Sequence, residues 1–443
     1  MLKNLPAVLV GGVVSLTASD LGLVEAVKRH DHRAVNRLIA QKTDVNAAQP
    51  DGATALAWAA YLDDRDTATL LLSSGAKPNT ADEYGETPLT LACGTGDAAL
   101  VGQLLQAGAD PNAARWDGET ALMIAAGTGS AGAVKQLIDR GANVNAAEQR
   151  KGQTALMWAA AEGHSDVVEA LIERGANINT ATKSGFTALV FATVKNDAQS
   201  VHDLLAAGAD PDYGLPDGLK VLNVAASYRS AAAASVLVEG GAIPNVADRG
   251  GNTPLHIAAQ AGEIDLLNRL LKKGANPNAR TVKAPSFGGR GGGFFRIIGE
   301  QTPLMLAARA NQVAAMKALI AGGADPRLKA EDGSTLLMAA AGSGHVEAVK
   351  YAFELDKDVK AVTDTGATVM HASVTGTGAI ATQAEICEVV QFLADAGVPL
   401  DEKDARGRTP ISIADVLPID KAVELLTRLI IASGNKPKIP SRR

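Results

Sequence analysis

Hydrophobic and polar positions along this chain repeat with a step of about 33 residues. In each step a short Ala/Leu-rich run follows a threonine, and a glycine ends it. A second run then places apolar residues at i, i+3 and i+4, as in "DVVEALIER" at 166–174. This spacing is typical of an amphipathic helix. Each step therefore predicts two short helices.

The element Gly-x-Thr-(Pro/Ala)-Leu marks the start of each first helix. Thr is a good N-cap, and Pro suits the first helical position, where its missing N–H has no intrahelical partner. The threonine slot falls at 54, 87, 120, 154, 187, 220, 253, 302, 335, 368 and 409, and only Lys220 departs from Thr. A shorter match at 23–47 adds one unit, which makes twelve.

A second element, Gly-Ala-(Asp/Asn)-x-Asn, closes most units, as in "GANVNA". Its glycine tolerates the positive φ of a helix C-cap. The Asn/Asp/Gly stretch before the next threonine predicts a projecting turn, which we call a finger. One helix pair cannot bury both of its faces, so neighbouring units must stack to form the core.

Composition and residue spacing limit the classes of function that the chain can have. Only 3% of residues are aromatic while 47% are hydrophobic, so a core of Ala, Leu and Val needs closely spaced helices. The net charge of −6 argues against a nucleic-acid partner. Cys93 and Cys387 lie too far apart for a zinc or redox pair, and we expect both to be buried apolar residues. Seven histidines occur without an HExxH motif, so we expect no metal site, and no catalytic residues or cofactor are predicted.

The whole pattern, GxTPLHxAA…G…VVxxLLxxGAxxN, resembles the ankyrin repeat of bacterial-type proteins over residues 19–433. The resemblance implies an all-α solenoid of stacked helix–turn–helix units with projecting β-turn fingers. It also implies that His256 and His371, in the His slot of the element, bond to a neighbouring loop. His164 and His345 precede second helices and are predicted caps. Trp58 and Trp158 are expected to pack between units.

Four segments depart from the period. Residues 1–18 fit a secretory signal peptide or an apolar segment packed on the first repeat. A Gly/Phe-rich insertion at 283–298 extends one finger, and a smaller insertion at about 374–382 lengthens the turn between two helices. The 283–298 insertion lacks the preceding strand and the Lys-Ser/Thr pair of a phosphate-binding loop. Residues 434–443 form a basic tail.

Ankyrin-like proteins usually meet partners with their fingers and with exposed residues of the first helices, which line a concave surface. Exposed aromatic residues are typical interface anchors. The predicted charges run from acidic in the early units to basic in the later ones, which would orient a polar partner. Carried over position by position, the candidate partner-binding residues are Tyr61, Tyr84, Glu86, Trp116, Asp117, Glu119, Lys183, Phe186, Lys195, Tyr228, Arg249 and Arg309. The 283–298 insertion adds Phe287, Arg290, Phe294 and Phe295, because it holds three of the chain's seven phenylalanines together with positive charge.

The function that follows is a non-catalytic scaffold that binds one or more proteins. One alternative is an accessory subunit of an enzyme or membrane complex docked by the 283–298 loop, so that membrane contact is only indirect. Another is self-assembly of the solenoid, and the sequence does not fix the oligomeric state. A cleaved signal would make the protein periplasmic or secreted, and otherwise it would be cytoplasmic.

Overall fold

The computed structural model describes residues 20–283, 298–375 and 381–437. These residues form 24 α-helices and no strand, so the predicted all-α architecture of paired helices is confirmed. The chain divides after Phe191 into two compact units. We call residues up to Phe191 unit 1 and residues from Ala192 unit 2. No helix in the described ranges has both the length and the hydrophobicity needed to span a membrane.

Unit 1 contains five complete helix pairs and the start of an eleventh helix. In chain order the helices are α1 (Asp20–Lys28), α2 (His32–Ala40), α3 (Ala55–Tyr61), α4 (Arg65–Ser73), α5 (Pro88–Thr95), α6 (Ala98–Gln106), α7 (Ala121–Gly127), α8 (Ala131–Asp139), α9 (Ala155–Glu162), α10 (Ser165–Glu173) and α11 (Ala188–Lys195), the last of which spans the division between the units.

Unit 2 continues the same alternation. Its helices are α12 (Ala198–Ala206), α13 (Val221–Ser227), α14 (Ala231–Glu239), α15 (Pro254–Ala261), α16 (Ile264–Lys272), α17 (Pro303–Arg309), α18 (Val313–Ala321), α19 (Leu336–Ala341), α20 (Val346–Leu355), α21 (Val369–Thr375), α22 (Gln383–Asp395), α23 (Pro410–Val416) and α24 (Asp420–Ala432).

Threonine caps most of the first helices as the repeat pattern predicts, although the Thr154 side chain makes no cap bond. In α3 the Thr54 hydroxyl accepts a hydrogen bond from the Ala57 amide at 3.2 Å, which satisfies one of the unpaired N–H groups at the helix start. Lys220, at the slot that lacks threonine, makes no side-chain cap. Its Nζ donates instead to the carbonyl of Asp212 at 2.8 Å. The helix α13 therefore starts at the usual position of the repeat, although Lys220 makes a different hydrogen bond.

Where a repeat closes with asparagine, as at Asn79 and Asn245, that side chain ties it to the next repeat. Asn79 donates through Nδ2 to the Gly108 carbonyl at 2.9 Å, and its Oδ1 accepts from the Asp110 amide at 2.7 Å. Asn245 makes the same two bonds, to Gly274 and Asn276, within unit 2. Because an amide side chain offers both a donor and an acceptor, it can satisfy both backbone groups. This explains why the closing element ends in Asn.

Buried polar residues three positions after the threonine slot form a second link between repeats. Nε2 of His256 lies 3.0 Å from the carbonyl of Gln301, and Nε2 of His371 lies 3.0 Å from that of Arg408. The predicted bonds to a neighbouring loop are therefore confirmed. Asn223, which the sequence analysis did not single out, does the same with the carbonyl of Asn252 at 3.2 Å.

The two linking histidines make stability depend on pH. Burial lowers the pKa of His256 and of His371. The unfolded chain therefore binds more protons, and we expect stability to fall as the pH drops below about 6.5, by up to about 1.4 kcal/mol per pH unit for each histidine until its folded pKa is reached. Urea unfolding at pH 7.5, 6.5 and 5.5 measures this. A variant with His256→Asn and His371→Asn should lose most of this slope, whereas an unchanged slope would contradict the assignment.

Two other histidines differ from their prediction. His164 and His345 occupy the N-cap positions of α10 and α20, but neither side chain caps its helix. Nε2 of His164 lies 3.0 Å from the carbonyl of Gly127 in the preceding repeat, and Nδ1 of His345 lies 3.3 Å from Glu385. An imidazole is long enough to reach the adjacent repeat, so it links repeats at a slot where Asp64 and Asp97 cap their helices.

Trp58 and Trp158 each contact the preceding repeat. A β-carbon at Gly127 would lie 2.8 Å from the Trp158 ring, so Trp158 packs against the preceding repeat as predicted. Trp58 also contacts the preceding repeat, because Nζ of Lys28 lies 4.9 Å from its ring centroid.

Cys93 is buried, and burial raises its pKa to about 12, so it is a thiol at neutral pH. Cys387 is only half-buried, which corrects the expectation for that residue.

Candidate partner-binding surfaces

Adjacent fingers in unit 1 are joined by backbone hydrogen bonds. A turn closes each of these fingers, and in several of them the first side chain accepts backbone amides, as Asp82 does from Tyr84 and Glu86 at 2.9 and 2.8 Å. Neighbouring fingers then share one bond each, with N–H···O distances of 2.8 to 3.0 Å. These bonds run from Glu83 to Asp51, from Trp116 to Tyr84, from Gln149 to Asp117 and from Lys183 to Lys151. The fingertips therefore stand side by side in fixed register.

Three of the predicted aromatic residues in unit 1 are exposed. Tyr84 and Trp116 lie on neighbouring fingertips and expose 57% and 69% of their surface, and Tyr61, at the end of α3, exposes 58%. The Trp116 amide donates to the Tyr84 carbonyl at 3.0 Å, which fixes the two residues next to each other. Large aromatic side chains that are exposed but rigidly presented suit a protein interface.

The predicted acidic cluster is partly neutralised within the fingers. Arg115 contacts Glu86 at 2.7 Å and also pairs with Glu119. Both glutamates are mostly buried, with 16% and 12% of their side chains exposed. Asp117, between them in the chain, accepts the Glu119 amide at 3.3 Å. The early fingers therefore offer less free negative charge than the sequence suggested.

The sequence analysis missed Arg115 because its finger candidates came only from the fingertips and from the position just before the threonine. Its slot, five residues before the threonine, holds Asp in the fingers that begin at Asp82 and Asp404. There the carboxylate closes the turn by accepting backbone amides. An arginine cannot accept a hydrogen bond. That departure from the repeat pattern is the signal that could have revealed its different role.

The remaining candidates of unit 1 are less exposed or already engaged. Phe186 is half-buried, and its ring lies 5.6 Å from that of Phe191 in the same repeat. Lys183 is exposed on its fingertip, with Nζ donating to the Gln149 carbonyl at 2.6 Å. Phe186 thus contributes to packing, whereas the Lys183 charge remains at the surface.

In unit 2 the exposed candidates are spread over several repeats. Tyr228, at the end of α13, exposes 61% of its surface. Arg249 is exposed on a finger, and Lys195 is exposed at the end of α11.

Arg309 lies in a cavity of about 310 Å³ within unit 2. Fingertips form one side of this cavity and the ends of first helices form the other, so the predicted groove between these two features is present here. Its polar lining includes Arg309, Asp332, Ser334, Thr363, Thr365, His371, Asp404, Arg406 and Arg408. Three arginines face two carboxylates, which leaves one net positive charge.

The Arg309 guanidinium is unusual in this cavity. Its Nε is buried and has no hydrogen-bond partner among the described residues. Burial lowers the pKa of Arg309, and the Asp332 carboxylate opposes that shift. An arginine stays protonated at neutral pH despite such a shift. A buried cation with an unused donor is therefore available to an acidic group that enters the cavity.

The described residues on either side of the long insertion are joined to each other. The Thr281 amide donates to the Gln301 carbonyl at 3.0 Å, and Glu300 forms ion pairs with Arg280 and Lys283 at 3.2 and 3.7 Å. The candidates Phe287, Arg290, Phe294 and Phe295 lie outside the described residues, as do the N-terminal segment 1–18, most of the smaller insertion and most of the basic tail.

Comparison with known families agrees with this geometry. A family model described as ankyrin repeats in three copies matches residues 23–115, 96–182, 122–214, 189–281 and 304–404. Together these matches cover most of the chain. None of the curated proteins compared with the chain matches it.

Proposed function

Because the chain belongs to the ankyrin repeat family, whose repeats generally mediate protein–protein interaction, we propose that it is a non-catalytic scaffold that binds a partner protein. The binding surface is formed by the fingers and by the exposed ends of the first helices. The observation that carries the proposal is the pair Tyr84 and Trp116, which lie on adjacent fingertips with more than half of each side chain exposed. In a chain with 3% aromatic residues, such a pair favours an interface.

The Arg309 cavity supplies a second contact of different chemistry. A carboxylate of the partner, from an acidic side chain or a chain end, fits a cavity that has one net positive charge and an unpaired guanidinium donor. Arginine bonds carboxylates through a planar fork of donors, so the contact would fix orientation as well as add affinity. The exposed aromatic pair would supply apolar contact area.

Replacing Arg309 with methionine separates binding from folding. The substitution keeps most of the side-chain volume and removes the buried Nε donor that has no partner, so we expect the chain to become more stable, by about 1 kcal/mol. The partner should bind about thirtyfold more weakly, a loss of about 2 kcal/mol, because its carboxylate loses its cation. Urea unfolding and titration calorimetry give the two values. Gln260→Met, at the same slot of the preceding repeat, is the matched control, and equal effects of both variants would contradict the assignment.

Site-specific photo-crosslinking can identify the partner. A photoreactive phenylalanine analogue placed at Trp116 in the source cells should form a crosslink to one dominant protein after irradiation. The same analogue at Lys135, which is exposed on the second helix α8, is the control. If position 116 yields no product beyond those of position 135, the fingers of unit 1 do not bind a partner.

A further inference from the structure

Two histidines converge on a buried carboxylate where the first two helix pairs meet. His30 and His32 flank the start of α2, and Asp64 is the N-cap of α4. The Asp64 Oδ2 atom lies 3.9 Å from Nδ1 of His30 and 3.6 Å from Nδ1 of His32. One nitrogen from each ring and one carboxylate oxygen all lie within 4.8 Å of one another.

The Asp64 carboxylate is only half satisfied. Its Oδ1 accepts the Thr67 amide at 3.0 Å and so caps α4. Its Oδ2 is buried and has no hydrogen-bond partner among the described residues, and only 8% of the side chain is exposed. The Thr67 hydroxyl lies 3.2 Å from Nδ1 of His32 and holds that ring beside the carboxylate. Leaving a buried carboxylate oxygen unpaired is costly, so the site favours a cation.

In the next repeat the equivalent carboxylate is paired with a side-chain cation. One repeat later, Asp97 takes the place of Asp64, and Asp63 and Arg65 take the places of the two histidines. There Arg65 pairs directly with Asp97. The first junction has no such arginine, and its carboxylate faces two imidazoles instead. The two-histidine arrangement is therefore a departure from the repeat pattern and not part of it.

We propose that His30, His32 and Asp64 bind a divalent first-row transition ion, for which Zn²⁺ is the probe. Imidazole nitrogen and carboxylate oxygen are common zinc ligands, and ligand atoms around tetrahedral zinc lie about 3.4 Å apart. The observed separations of 3.6 and 3.9 Å need only small side-chain rotations. Both histidines are more than half exposed, at 52% and 56%, which leaves a further position for water or a partner's ligand.

This inference revises the expectation from the sequence. HExxH-type motifs place both histidines on one helix turn, and none is present. Here Asp64 follows His32 by a full repeat, so only the stacking of two helix pairs brings them together. The site is independent of the proposed partner-binding surfaces.

Isothermal titration of the tag-free, full-length chain with Zn²⁺ tests the site. We expect saturable binding of one ion per chain. His30→Asn and His32→Gln should each weaken binding at least about tenfold, since each removes one ligand. Asparagine is chosen at His30 because its φ of 53° lies in the left-handed region that Asn tolerates. Asp64→Asn should also weaken binding while keeping the helix cap, because Asn caps as well as Asp.

The matched control is His202→Gln. His202 also lies beside a carboxylate, 3.0 Å from Asp203, but that contact holds one histidine only. This variant should bind Zn²⁺ as the wild type does. Co²⁺-induced paramagnetic shifts of the His30 and His32 ring protons in the wild type provide a second readout that needs no variant. Unshifted ring protons, or Zn²⁺ binding that survives in the double variant of His30 and His32, would overturn the proposal.

Discussion

Replacing His256 with alanine is expected to destabilise unit 2 by about 3 kcal/mol. The side chain is fully buried, and it links the Gln301 carbonyl of the next repeat to the Thr253 amide of its own. Its loss creates a cavity and leaves the buried Thr253 amide unpaired, which costs about 1 kcal/mol or more. The Gln301 carbonyl also loses one of its two hydrogen bonds and keeps the one from the Thr281 amide. The loss should appear in urea unfolding followed by circular dichroism.

Two variants show whether the bonds or the volume matter. His256→Asn should recover part of the loss, because Asn223 makes the equivalent bond to a neighbouring carbonyl in another repeat of this chain. His202→Ala, at a histidine that is 66% exposed, should change stability by less than about 0.5 kcal/mol. An effect of His256→Ala no larger than that of His202→Ala would show that the inter-repeat bond contributes nothing measurable.

The second large effect is expected in binding rather than stability. Truncating Tyr84 or Trp116 to alanine should weaken the crosslinked partner's binding by about thirtyfold, or 2 kcal/mol, as is typical of interface anchors. Both side chains are exposed, so stability should change by less than about 0.5 kcal/mol. Surface plasmon resonance with the purified partner measures the affinities.

Ile431 provides the control for exposed apolar surface. It exposes 59% of its surface on the last helix, α24, far along the chain from the fingers of unit 1. Ile431→Ala should leave affinity unchanged. If the Tyr84 and Trp116 variants bind as the wild type does, the proposed interface is wrong even when the partner itself is confirmed.

The repeat pattern was sufficient to predict the helices, because each depends on local signals. Thr54 caps its helix, Asn79 ties its repeat to the next one, and His256 bonds to the following loop. Each of these roles recurs at a fixed position of the repeat. A residue that matches the pattern therefore has the same role as the residues at that position in the other repeats. This is why the fold and the histidine links between repeats followed from the sequence.

The parts that could not be predicted are those where a residue departs from its slot. Arg115 stands where other fingers have a turn-closing side chain, and its pairing with Glu86 removes charge from the predicted acidic surface. His164 occupies a cap position but bonds to the preceding repeat. The pairing of His32 with Asp64 depends on how two helix pairs stack. In each case the contact depends on whether a side chain is long enough to cross the boundary between two repeats. The spacing of residues along the chain does not show this.

Hydrogen exchange of the complex tests the central claim most directly. The account predicts that the partner slows exchange at the fingers, at residues 82–86 and 115–119, and at the residues around Arg309. Second helices such as α6 and α8 should exchange as they do in the free chain. Protection confined to the second helices, or none at all at a partner concentration well above its Kd, would contradict a scaffold that binds through its fingers.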